Sequence, residues 1–280
     1  MIKVAAIQMS MSKDKKQNIK KAKKMLKQAI NNKAKIILLP ELFEGHYFCK
    51  DKDKKYFSWA KKRKNHPTIR LFEKIAKKED VVILLSYFEK DKKDYYNSLV
   101  LLDSKGERKK QYRKTHIPDG PGYEEKFYFK PGDTGFRVWK TKYGNIGAGI
   151  CWDQWFCETA RILTLKKADI IFFPTAIGSE PEIKIDSKEH WQRVQAGHSA
   201  TNMVPIVAAN RIGKEVGKSC SLTFYGSSFI TDNTGKIIKE ASRDKEEIIY
   251  AKFDFEKNKQ ERDYWALLKD RRKDGVYNII

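Results

Sequence analysis

Short apolar runs alternate along this chain with longer stretches whose apolar residues recur every three or four positions, and that alternation restricts the fold to the α/β class. The candidate strands are Lys3–Met9, Ile36–Pro40, Val81–Phe88, Ser98–Leu102, Gly144–Cys151, Ala168–Pro174, Pro205–Asn210, Ser227–Thr231 and Ile248–Phe253. Most are rich in Val, Ile, Leu or Phe, as strands buried on one or both faces tend to be. Helical spacing covers Lys15–Asn31, Pro67–Lys78, Cys157–Lys167 and Ser187–Met203. In the first of these, Ile19, Ala22, Met25, Leu26, Ala29 and Ile30 form a core-facing stripe. Turn signals at Asp103-Ser104-Lys105-Gly106 and Asp232-Asn233-Thr234-Gly235 add antiparallel pairs, so the sheets should be mixed. No Pro- or Ser-rich linker interrupts the pattern, which predicts one domain over residues 1–255. The segment 256–280 is charged, with Tyr264, Trp265 and Tyr277 as its aromatics, and reads as a tail suited to packing on a neighbouring subunit.

Composition removes several function classes. No apolar run reaches the roughly 18 residues needed to span a bilayer, and the first residues move directly into a charged helix, so a cytoplasmic protein without a membrane partner is expected. Four cysteines (Cys49, Cys151, Cys157, Cys220) make no CxxC pair and there is no HExxH, which argues against a disulfide framework or a metal site. The net charge of +22 raises nucleic-acid binding as a rival reading. Its lysines are dispersed over Lys13 to Lys27, Lys50 to Lys64, Lys105 to Lys114 and Lys236 to Lys259, a pattern of solvated faces, so no nucleic-acid partner is expected. Gly213-Lys214-Glu215-Val216-Gly217-Lys218-Ser219 is one residue too short for a phosphate loop, and Gly147-x-Gly149 lacks the third glycine of a dinucleotide fingerprint. No cofactor is called for.

Three residues stand out by where the chain places them. Glu41 follows Ile36-Ile37-Leu38-Leu39-Pro40, at the carboxyl end of a strand where ligand sites of α/β sheets gather. There it could serve as a general base, or equally as a helix cap. Cys151 ends the glycine-rich run Gly144–Ile150; a bend there would expose the sulfur and aim backbone N–H groups at a substrate oxygen, although an isolated Cys is more often a buried hydrophobe. Lys114, in Tyr112-Arg113-Lys114-Thr115-His116, carries little signal by itself among 58 basic residues. Of the five histidines, His46 and His116 follow these segments and could line a pocket mouth. His198 reads as a packed helix residue, and His66 and His190 as loop or helix-start positions.

Taken together, these segments resemble the three catalytic signatures of the nitrilase superfamily: a Glu after a hydrophobic strand and Pro, a Lys after a Tyr-Arg run, and a Cys after a Gly-rich strand. The resemblance extends over about residues 3 to 255. It is more specific to the N-carbamoylputrescine amidohydrolase branch in His116–Phe136, in Cys151-Trp152-Asp153-Gln154-Trp155-Phe156 and in Phe173–Pro181, with Cys157 standing where that branch would have Pro. The resemblance implies a four-layer αββα sandwich with mixed sheets, assembled as a dimer or larger homo-oligomer. It implies Cys151 as nucleophile, Glu41 as base, Lys114 as oxyanion partner and a second acid at Glu125, with Glu124 its neighbour in the frame.

The implied reaction hydrolyses N-carbamoylputrescine to putrescine, CO2 and ammonia through a thioester, in polyamine biosynthesis from agmatine. A free thiol is only a few per cent ionised at neutral pH, and a neighbouring ammonium and carboxylate would remedy that. The backbone N–H of Trp152 would join Lys114 on the oxyanion. Gln154 and Trp155 offer no bidentate clamp for a substrate carboxylate. A cationic N-carbamoyl amine would instead prefer acidic and aromatic neighbours, for which Trp152, Tyr47, Asp119, Asp153, Glu180 and Trp191 are candidates, with Ala176 at the wall. An amidase acting on N-carbamoyl-β-alanine or on a simple aliphatic amide is the alternative within the superfamily.

Overall fold

The computed structural model describes residues 1–105, 109–179 and 185–276. It contains two mixed sheets packed face to face with helices on both outer sides, the expected αββα sandwich. The first sheet runs β11(Ser221–Tyr225), β10(Arg211–Val216), β1(Ile2–Ser10), β2(Ile36–Leu38), β3(Val82–Asp91), β4(Asp94–Leu102), β5(Tyr112–Arg113), with β14(Glu247–Phe253) also pairing β1. The second runs β13(Ile237–Glu240), β12(Phe229–Thr231), β9(Ile206–Ala209), β8(Ile170–Pro174), β7(Gly144–Ala148), β6(Arg137–Thr141). The centre of each is parallel (β10, β1, β2, β3 and β7, β8, β9), and the remaining pairs are antiparallel.

Strand alternation sorts the side chains into layers. Val4, Ala6, Leu38 and Leu84 face Ile146, Ala148, Phe172 and Val207 in the core between the sheets. Ala5, Ile7, Ile37 and Ile83 face outward onto Ala22, Leu26, Phe72 and Ala76 of α1(Lys15–Asn31) and α2(Pro67–Glu79). On the opposite side, Ile171 and Phe173 meet Ala160 and Leu163 of α4(Cys157–Leu165), which packs beside α5(Lys188–Asn202). A single turn of helix, α3(Glu125–Tyr128), packs beside the short 3-10 segment Phe48–Lys50. Asp14 caps α1 through its side chain, and Pro67 opens α2 where its missing N–H costs nothing.

Several elements differ from expectation. Strands β5, β6, β10, β11 and β13 are additional; they are short, charged or at sheet flanks, so no apolar run marks them. The 213–219 segment is part of the β10–β11 hairpin, with Asp51 accepting from the N–H groups of Lys218 and Ser219. Asp232–Gly235 joins β12 to β13 as expected, whereas Gly106 of the other turn signal lies outside the described residues. Beyond residue 255 the chain is not featureless: Phe255–Trp265 forms α6, capped by Asp254. Phe255 stacks on Phe253, and Arg262 reaches the carbonyl of Ala168. Among the described residues no helix is long and apolar enough to cross a membrane.

Candidate active site

The carboxyl ends of β2, β5, β7 and β8 converge at one edge of the inter-sheet core, bringing Glu41, Lys114, Cys151 and Ala176 from the two sheets to one place. Lys114 and Glu125 have no exposed side-chain surface, and neither does Glu41. The Lys114 ammonium donates to Glu41 Oε1 at 3.0 Å and to Glu125 Oε2 at 2.6 Å. Glu125, not Glu124, is therefore the acid beside the lysine; Glu124 pairs instead with Lys52 at 2.8 Å.

Each charged group is held by neighbours. Asn97 on β4 donates to Glu41 Oε1 at 2.7 Å, and Ser86 on β3 donates to Asn97 Oδ1. Tyr47 donates its hydroxyl to Glu125 Oε1 at 2.7 Å. The backbone of Lys114 is fixed where Gly132 donates to its carbonyl at 2.7 Å; a Cβ on Gly132 would stand 2.1 Å from the Arg113 carbonyl oxygen, so glycine is required there.

Cys151 lies at the turn between β7 and a short 3-10 segment with φ of +41°, a left-handed conformation that costs a side-chain-bearing residue on the order of 1–3 kcal/mol. Asp153 holds that turn. Its Oδ2 accepts from the Ile150 N–H at 2.9 Å and from the Tyr112 hydroxyl at 2.7 Å, while Oδ1 accepts from the His116 N–H at 2.9 Å. A Cβ on Gly149 would meet Phe173 at 2.8 Å, so only glycine lets the strand reach this turn undisturbed. The Cys151 thiol donates to the Ala176 carbonyl with S···O of 3.7 Å.

The electrostatics follow from burial in a low-dielectric site. Burial pushes the Cys151 thiol well above its ordinary range and the Glu41 charge adds to that, with Lys114 opposing. Burial therefore favours the neutral thiol in the resting site, with the Lys114 charge acting against it. Burial also raises Glu125, to about 7, against the pull of Lys114. For Lys114, burial works against the charged form, but Glu125 and Glu41 outweigh it and hold the ammonium protonated. Among the described residues two atoms of this cluster remain free. Glu41 Oε2 is buried with no hydrogen-bond partner, and one of the three ammonium donors of Lys114 is unused. The cluster therefore has one place to accept a proton and one place to bind a developing negative oxygen.

The other candidates are distributed unevenly. Trp152 is 39% exposed beside Trp155, at the surface end of the Cys151 turn. Asp119 is exposed on the loop before α3. Three candidates are not brought to an open wall. Tyr47 is fully buried and is committed to Glu125. Asp153 uses both oxygens on the turn. Trp191 has no exposed surface, donates to Gln154 Oε1 at 2.8 Å and packs edge-on against Phe229. Glu180 lies outside the described residues. His46 is buried against Tyr56 and Trp59, and burial lowers its pKa to about 3; His116 stacks on Phe156. Sequence reasoning did not single out Asn97 or Arg211, whose guanidinium donates to the Glu41 carbonyl at 2.6 Å. Neither carries a local signal for the site: each reaches Glu41 across at least 56 positions of chain.

The family model for carbon-nitrogen hydrolases matches residues 3–262. A citrullinase of Francisella tularensis is 50% identical over 280 residues, covering 100% of this chain and 98% of that protein. An N-carbamoylputrescine amidase of Arabidopsis thaliana is 48% identical, covering 99% and 94%. Among solved structures, a carbon-nitrogen hydrolase from Helicobacter pylori superposes with a TM-score of 0.92 at 38% identity, covering 99% of this chain and 97% of the other. The chain belongs to the carbon-nitrogen hydrolase family of the nitrilase superfamily, and it is a hydrolase acting on carbon–nitrogen bonds other than peptide bonds.

Proposed function

We propose that the protein hydrolyses N-carbamoylputrescine to putrescine, CO2 and ammonia, with Cys151 as nucleophile. The observation that carries the chemistry is the pair of free atoms in the buried cluster, Glu41 Oε2 and the third Lys114 donor, beside a neutral thiol. Glu41 takes the thiol proton as the sulfur attacks the ureido carbon. Lys114, with the Trp152 backbone N–H, binds the developing oxyanion; a single such donor is worth about 3–4 kcal/mol in the transition state. Glu41 returns the proton to the departing nitrogen, leaving a thioester, and then activates water against it. One water is consumed, and the carbamic acid product separates into CO2 and ammonia. Glu125 orients Lys114 and, with a pKa of about 7, can share the proton traffic.

The substrate rests on the relatives. N-carbamoylputrescine and citrulline share a terminal ureido group on an alkyl chain ending in an ammonium, and differ by the carboxylate that citrulline carries. The 50% relative named citrullinase makes citrulline the second reading. Gln154 and Trp155 just after the nucleophile supply no bidentate cation for that carboxylate, which favours the first. Trp152 and Asp119, and Glu180 by its sequence position, are the proposed neighbours of the distal ammonium. The remainder of the proposal is a cytoplasmic role in polyamine biosynthesis from agmatine, without a nucleic-acid partner, in a homo-oligomer. The tail's exposed Tyr264, Trp265 and Leu267 are the surfaces to be covered by a second copy.

Ammonia release by the purified protein with N-carbamoylputrescine, citrulline, N-carbamoyl-β-alanine and a simple aliphatic amide, alongside Cys151→Ala, tests this. Selective turnover of N-carbamoylputrescine, abolished by the substitution, is the expected result. Faster turnover of citrulline would keep the Cys–Glu–Lys chemistry and discard the substrate. Turnover that persists in Cys151→Ala would discard the nucleophile.

A further inference from the structure

The site is assembled from both sheets, so something must fix how far apart the two halves stand. Glu41 follows β2 in the first sheet; Cys151 and Ala176 follow β7 and β8 in the second. The chain crosses between the sheets with a single intervening residue at one point, where β9 of the second sheet ends at Ala209 and β10 of the first begins at Arg211. The side chains of Asn210 and Arg211, at that crossover, go to opposite halves of the site.

Asn210 serves the nucleophile's half. Its Oδ1 accepts from the Ile177 N–H at 3.0 Å, and its Nδ2 donates to the Ile177 carbonyl and to the Gly226 carbonyl, each at 2.9 Å. Ile177 directly follows Ala176, whose carbonyl receives the Cys151 thiol. Arg211 serves the base's half. Its guanidinium donates to the Glu41 carbonyl at 2.6 Å, the Leu42 carbonyl at 3.3 Å and the Gly45 carbonyl at 3.4 Å, gathering a loop in which Leu42 has φ of +47°. Glu215, four residues onward in β10, accepts from Arg211 at 2.9 Å and from the Tyr47 N–H at 2.6 Å, so the pair also steers the tyrosine that holds Glu125. The Arg211 guanidinium lies 5.5 Å from the Tyr47 ring centroid and 5.2 Å from that of Phe224. Asn210 and Arg211 have no exposed surface.

We propose that Asn210 and Arg211 are positioning residues that set the separation of Glu41 from the Cys151 thiol, by tying the loops of both sheets to the one-residue crossover. Neither touches the reacting atoms. The inference rests on Glu41 and Cys151 being base and nucleophile. A shift of about 1 Å in a reacting pair can cost about a hundredfold in rate, which is the scale at stake.

The test compares Arg211→Lys, the double variant Arg211→Met with Glu215→Gln, and Asn210→Ala, with thermal unfolding measured for each and Cys151→Ala run in parallel. The double variant removes both members of the buried pair, and the amide oxygen left by Glu215→Gln can still accept from the Tyr47 N–H and face the Lys50 ammonium, which stands 3.6 Å from Glu215. It should lose kcat by about a hundredfold, with KM nearly unchanged. Arg211→Lys keeps the charge and a donor, so it should recover a good part of that loss, and Asn210→Ala should lower kcat and spare KM in the same way. A folded double variant with the parent's kcat would overturn the proposal. So would losses that merely follow the unfolded fraction at the assay temperature, or failure of all three variants to fold, which would assign the pair to the fold alone. Activity in Cys151→Ala would instead remove the catalytic reading underneath, whatever the crossover variants do.

Discussion

Arg113 and Lys114 are neighbours at the end of the same short strand, and each gathers carboxylates around a buried cation, yet the two clusters are built differently. Arg113 donates through Nε and one terminal nitrogen to Glu89, through that nitrogen also to Asp91 at 2.7 Å, and through the other to Asp133 at 3.0 Å, and it lies over the Tyr96 ring at 3.9 Å. Asp91 and Asp133 have 49% and 59% of their side-chain surface in water. Among the described residues the Lys114 ammonium donates only to Glu41 and Glu125, with all three side chains at 0% exposure, and one of its donors and one Glu41 oxygen are left over. A saturated fork with wet partners is how a structural ion cluster is stabilised. An unsaturated, dry one is expensive as structure and useful as chemistry, because it has somewhere to receive charge.

That contrast should be largest in Lys114→Met. Removing the cation leaves two buried carboxylates facing each other, which should cost about 3–5 kcal/mol in urea denaturation. Loss of the oxyanion donor should lower kcat by about 10²–10³-fold. Adding Glu125→Gln should restore much of the stability and none of the turnover. Near-parental kcat in Lys114→Met would mean the dry cluster is structural after all.

Glu125→Gln alone should separate the clusters by pH. Burial holds Glu125 near 7 in the folded protein, against an ordinary value of 4.5. The native state therefore keeps a proton that the unfolded chain has released, and stability declines as pH rises from about 4.5 to about 7. The Gln variant should lose that downward slope, and kcat should fall by about 10²-fold through misplacement of Lys114. Urea midpoints across this pH range measure it; superimposable slopes for parent and variant would contradict the assignment.

How much of this was legible in the sequence follows from the same distinction. The inward strands were readable because short runs rich in Val, Ile, Leu and Phe mark strands buried on both faces. Strands β5, β6 and β10 were not, because Arg113, Lys140 and Lys214 sit among them without an apolar run. Lys114 was found only through the family's motif, since nothing local tells it from Arg113. Asn97 and Arg211 escaped because a hydrogen bond across 56 or 170 positions leaves no local pattern. Asp153 and Trp191 were plausible as pocket walls by type, but their polar atoms are already spent on Ile150, Tyr112, His116 and Gln154. The α6 helix was hidden by its nearly uniform polarity: it is held by Phe255 at one end and Arg262 toward the other, rather than by an apolar stripe.

The smaller effects belong to the wet cluster. Arg113→Met should cost about 2–3 kcal/mol, because Glu89 is buried but keeps Ser98 and Gln111 as neutral donors, and kcat should stay near the parent's. Asp133→Asn should cost less still, under about 1 kcal/mol, and the difference from parent should shrink as salt is raised, because an exposed partner is already screened. This substitution also probes a loop that touches both clusters. Asp133 follows Gly132, whose N–H holds the Lys114 carbonyl, and precedes Thr134, whose hydroxyl accepts from the Arg113 N–H at 3.0 Å. If the Asp133 carboxylate merely sits in water, stability shifts slightly and turnover does not move. If kcat falls while stability holds, the loop transmits the outer ion pair to the backbone of Lys114, and the two clusters act as one device.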